Sequence, residues 1–62
     1  MHIQLELQDL TEAQAYALAQ LVKRIRFAEL RQNAISDDEA YNMQTAIAAL
    51  QRALARVGFN PR

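Results

Sequence analysis

The first ten residues, Met1-His2-Ile3-Gln4-Leu5-Glu6-Leu7-Gln8-Asp9-Leu10, alternate apolar and polar side chains with the period of a half-buried β-strand, and no later stretch offers a second strand to pair with it. A lone strand leaves its N–H and C=O groups without a ladder, so the alternation predicts pairing with the same segment of a second copy. Ile3, Leu5 and Leu7 would be the buried face of that dimer strand. The remainder of the chain has helical periodicity. The expected fold is therefore mostly α with one N-terminal β-strand, a β-α-α helical hairpin whose strand is paired across a homodimer.

Sixty-two residues make one small domain, and a chain of this size buries a smaller fraction of its surface than an average domain does. Cysteine is absent and no Cys/His cluster could hold a structural zinc, which leaves oligomerisation as the expected source of added stability. No stretch approaches the roughly 20 apolar residues of a membrane span, and no basic segment followed by an apolar run marks a leader, so a cytoplasmic protein is expected. Seven Lys+Arg balance seven Asp+Glu, and no global field favours nucleic acid or anionic lipid. Along the sequence the charges run acid then base, twice, as two helix dipoles prefer.

Within the single domain 1–62 the strand is placed at about 2–8. Thr11 with Gln14 three residues on is a capping box that opens a helix over about 12–33. Ala15, Leu18, Leu21, Val22 and Ile25 form its core-facing stripe. Phe27, Leu30 and Ala34 project from the opposite face, the one that carries Tyr16, so this helix either breaks near Arg26 or has two apolar faces. Ser36-Asp37-Asp38-Glu39 is a second capping box, with Glu39 placed to return to the serine amide, and opens a helix over about 37–57. Ala40, Met43, Ile47, Leu50, Leu54 and Val57 make its seam, flanked by Ala46, Ala49 and Ala53, small enough for a neighbouring helix to approach closely. Gly58 can take the left-handed conformation that ends the helix, Phe59 can fold back on Leu54, and Pro61 prevents resumption.

No motif specifies a chemistry. His2 is the only histidine and has no neighbouring ligand partners, adjacent acids at 37–39 lack the spacing of a calcium loop, and Ser36 and Thr11 serve as caps. Two short helices should enclose no pocket of ligand size. A non-catalytic protein with no cofactor and no metal is expected. Lys23, Arg24, Arg26, Arg31, Arg52 and Arg56 read as a solvated face of the helix ends more readily than as a nucleic-acid surface, because no stacking platform of aromatics accompanies them.

Strand, helix, helix in a short dimer resembles the ribbon-helix-helix repressors, which implies DNA binding with Gln4, Glu6 and Gln8 facing the bases. Charge opposes that assignment, since Glu6 would face the bases and Asp37-Asp38-Glu39 would repel the phosphate that docks at the second helix in such repressors. Ala17-Leu18-Ala19-Gln20 with Lys23-Arg24, Asp37-Asp38-Glu39-Ala40-Tyr41 and the ending Gly58-Phe59-Asn60-Pro61-Arg62 resemble a group of short uncharacterised bacterial proteins of phages, plasmids and integrated elements. The resemblance implies a bacterial setting and a protein that acts by binding, as an adaptor or inhibitor.

The expected function is that of a dimeric protein–protein interaction module, with a DNA-binding regulator of ribbon-helix-helix shape as the alternative. The expected partner-binding residues are Tyr16, Phe27, Leu30 and Arg31, with Tyr41 and Phe59 placed to join them, because aromatic residues and arginine concentrate at binding hot spots.

Overall fold

The computed structural model describes residues 3–59 and contains three helices, α1 (Glu12–Arg24), α2 (Phe27–Gln32) and α3 (Asp37–Arg56). There is no β-strand among the described residues, and His2, where the expected strand would begin, lies outside them. The β-α-α class and the strand-paired dimer are therefore replaced by an all-helical fold with an irregular arm over residues 3–10. Alternation sorts side chains onto two sides of a segment but supplies no hydrogen-bonding partner. Every residue of the arm is exposed, so water satisfies its backbone instead of a ladder.

The first cap forms as the residues require. Thr11 Oγ1 accepts from the Gln14 amide at 3.1 Å, and Gln14 Oε1 accepts from the Thr11 amide at 2.9 Å. Of the two readings of the first helix, the break is the one realised. Ile25 (ψ 134) and Arg26 (ψ 158) are both extended, so the chain turns after Arg24. The arginine has no side-chain acceptor to cap α2, and only the returning half of a capping box is present, with Glu29 Oε1 accepting from the Arg26 amide at 3.0 Å. An unbroken helix would hold Leu30 on the face away from the core; the break re-aims it, and Leu30 is buried.

At the start of α3, Ser36 Oγ accepts from the Glu39 amide at 3.1 Å. The Glu39 carboxylate reaches one residue further back than expected, to the Ile35 amide at 3.0 Å. At the other end Gly58 takes φ 100, its amide bonds the Ala55 carbonyl (3.1 Å), and the Phe59 amide bonds the Leu54 carbonyl (2.9 Å). These two bonds are the 5→2 and 6→1 pair of a Schellman motif. Phe59 folds back on the cluster that holds Leu54, as its position after Gly58 implied.

Both α1 and α2 pack on α3. Ala19, Val22 and Leu54 form the buried cluster, with Leu18, Ile47, Leu50 and Phe59 packed around it, and Leu30 and Ala40 are buried besides. Two residues assigned to the core by periodicity stand outside it, Leu21 at 57% and Val57 at 70% exposed. The reason is coverage. With α3 as the single neighbour of α1, only the middle of the stripe is roofed, and Ala19, at the centre of the contact, is buried in place of Leu21.

Leu54→Ala is expected to destabilise the fold by about 2–4 kcal/mol and Leu21→Ala by less than about 0.5 kcal/mol, although the two leucines carry equal weight in the sequence pattern. Thermal melts followed by circular dichroism check this. Equal losses at the two positions would place the core elsewhere.

Candidate functional site

The four side chains expected to bind a partner do not share one surface. Tyr16 packs edge-on against Phe59, ring centroids 4.9 Å apart, beside the carboxyl end of α3. Phe27 lies against Tyr41, also at 4.9 Å, beside its amino end. Tyr41 and Leu54, which mark the two ends, are separated by about 20 Å of helix. Leu30 is buried.

Arg31 is engaged at the turn between α2 and α3. Its Nε donates to Asp37 Oδ1 at 2.6 Å, and a terminal guanidinium nitrogen donates to the Ala34 carbonyl at 3.1 Å. Both partners of the ion pair are open to solvent, so its energetic weight is small, but the fork holds the turn in one geometry. Asn33 adds a bond from its amide nitrogen to the Glu29 carbonyl at 2.8 Å. Lys23, Arg24, Arg26, Arg52 and Arg56 are all exposed, as a solvated basic face would be.

The surface that stands out is elsewhere, between the arm and the helices. Asp9 has φ 64, a left-handed conformation that Asp tolerates better than most residues. Beyond that turn, Ile3, Leu5, Leu7 and Leu10 line one wall of a groove whose other wall is Ala46, Ala49, Leu50, Ala53 and Leu54 of α3 with Val57 just after it. Thr11, Glu12 and Ala15 of the α1 start, together with Phe59, complete it. The groove encloses about 920 Å³, and a smaller hollow of about 420 Å³ adjoins it at Leu5, Ala46 and Leu50. The expectation that the chain would form no pocket of ligand size is thus corrected. Two helices alone would not make one; the arm supplies the missing wall.

The walls carry almost no polar chemistry. Thr11 Oγ1 is taken by the Gln14 amide, and among the described residues Glu12 is the only charged side chain that lines the groove. Among the described residues no group of three His, Asp or Glu side chains gathers as metal ligands would. The sequence did contain the signal for this groove. Ala46, Ala49 and Ala53 at helical spacing mark a face where something approaches closely, and what faces them is the arm instead of a third helix.

Among the described residues the fold and the groove define a small three-helix protein with an open apolar cleft and no converging polar groups inside it. The chain belongs to a family of unknown function, DUF7706, whose profile matches residues 1–62. No curated protein and no solved structure shows significant similarity to it. Among the described residues no helix is long and apolar enough to cross a membrane.

The two aromatic pairs give a direct check of this layout. In double-mutant cycles followed by thermal melts, Tyr16→Ala and Phe59→Ala are expected to couple by about 0.5–1.5 kcal/mol. Tyr16→Ala and Phe27→Ala should instead add to within about 0.5 kcal/mol, because they sit too far apart to interact. Strong coupling of Tyr16 to Phe27 would restore the single aromatic patch.

Proposed function

We propose that this protein is a non-catalytic module that acts by protein–protein contact, as an adaptor or inhibitor in a bacterial cytoplasm, carried by a phage or other mobile element. The observation that supports the contact reading is the groove between the arm and α3, which holds large apolar side chains open to solvent beside a stripe of alanines. Apolar area of this kind, concentrated in one place on a small chain, is characteristic of a surface that another polypeptide covers. Catalysis would need a nucleophile with its base, or paired carboxylates, converging on a pocket, and among the described residues that line it Glu12 is the one charged group. The setting in a mobile element rests on the resemblance of sequence alone.

A ribbon-helix-helix reading gains nothing from the fold. Its reading head is a strand that the described residues do not contain, and Asp37, Asp38 and Glu39 occupy the first turn of α3.

The test is site-specific photo-cross-linking in cells, with a benzophenone amino acid placed at Leu7 or Ala49 in the groove and at Gln44 outside it. Adducts to polypeptide are expected at the two groove positions and not at Gln44. Adducts equal at all three positions, or none in the groove, would refute the contact reading. Titration of duplex DNA is expected to give no affinity that falls steeply with added salt, the signature a DNA-binding regulator would show.

A further inference from the structure

The folded chain exposes more surface than its mass accounts for. A compact monomer of 7.1 kDa exposes about 4,100 Å². This chain exposes 5380 Å². The excess is about 1,300 Å². Each side of a standard protein–protein interface covers about 800 Å². Five of the nine large hydrophobic side chains left exposed among the described residues line the groove, with Ile3 at 73%, Leu5 at 72% and Val57 at 70%, while Ile35, at 89%, lies outside it.

We propose that the groove is closed by a second copy of this chain, in a reciprocal dimer where Leu5 and Leu7 of each arm seat on the Ala46–Ala49–Ala53 stripe of the other protomer. The proposal rests on the reading of the groove as a polypeptide contact and names its occupant. Each chain carries both halves of the fit, bulky side chains on a projecting arm and small ones on a helix, which is the requirement of a two-fold interface in which each patch meets its counterpart. Within one chain the two halves face each other across about 920 Å³ without closing. Asp9 is the hinge, because a single residue held at φ 64 sets where the arm points, and its return to the ordinary region of negative φ redirects residues 3–8.

Charge is consistent with self-association. The chain has equal numbers of acidic and basic residues, and among the described residues the groove holds one charged side chain, so two copies meet without a net repulsion. A partner recognised by electrostatic steering would be expected to find a charged rim of one sign there. The contact runs through side chains seated on a helix and needs no ladder between the arms.

The test compares the intact chain with Leu5→Asp, Ala49→Glu and, as a control of equal charge change outside the groove, Gln44→Glu. All three positions are exposed, so helicity should be kept if each chain folds. Light scattering over a dilution series is expected to give twice the chain mass of 7.1 kDa for the intact protein and Gln44→Glu. The two groove variants should dissociate at concentrations raised by about 100-fold or more.

Should a groove variant unfold, a second measurement decides. The described chain has no cysteine, so an equimolar mixture of Leu5→Cys and Ala49→Cys chains under mild oxidation should yield the mixed disulfide, and Leu5→Cys with Gln44→Cys should not. A monomer at every concentration, a dimer unaffected by both groove charges, or no mixed disulfide overturns the proposal. A monomer that binds anilinonaphthalene sulfonate, with the signal lost in Ala49→Glu, removes the second copy but leaves the groove as a contact for a different polypeptide. A monomer that binds no dye removes both.

Discussion

The structure depends on one helix being apolar over more of its circumference than its neighbours can cover. α3 is 20 residues long, while α1 has 13 and α2 has 6. Ala40, Met43, Ile47, Leu50 and Leu54 recur at three- and four-residue steps and take the packing of α1 and α2. Ala46, Ala49, Ala53 and Val57 lie beside that seam and receive neither helix. Leu50 belongs to both strips, half-buried against the core cluster and lining the groove. A residue in that position couples the two, since a change that disturbs the groove wall also touches the packing that holds α1.

How much of this was legible from residues alone varies with the range of the interaction. Caps are local, and they were read correctly: Thr11 with Gln14, Ser36 as acceptor for the Glu39 amide, Gly58 with Phe59 returning to Leu54. The break near Arg26 was legible as a conflict between two apolar faces, and burial of Leu30 shows why the conflict resolves as a break. The arm was not legible. An alternating segment obeys the strand pattern whether its partner is another backbone or the side chains of a helix, because alternation constrains faces and says nothing about amides. Periodicity also failed at the edges of its stripes, where Leu21 and Val57 satisfy the helical spacing but no neighbouring element reaches them.

The expected binding residues are dispersed for a related reason. Tyr16, Phe27, Leu30 and Arg31 share a face only on a continuous helix, and the turn at Ile25 and Arg26 separates Tyr16 from the other three. Each then finds a nearby partner within the chain: Phe59 for Tyr16, Tyr41 for Phe27, Asp37 and the Ala34 carbonyl for Arg31. The aromatics and the arginine that compositional statistics associate with interfaces are here occupied in fixing the two ends of α3. The fold leaves open the aliphatic residues of the arm, together with Leu21, Ile35 and Val57.

That distribution bears on what kind of molecule the groove can select. A metabolite is held in orientation by a few placed donors and acceptors on otherwise apolar walls. Among the described residues that line this groove, the one hydroxyl, on Thr11, is committed to capping α1, and the one carboxylate, on Glu12, sits in the first turn of the same helix where the dipole already favours it. Neither is free to read a ligand without cost to the helix start. Selection by shape, matching large aliphatic side chains to the narrow alanine stripe, is what the proposed polypeptide contact would use. A chain with only five buried side chains among its described residues gains from such a partner twice, because the area that confers recognition also adds to a core too small to be strongly stable by itself.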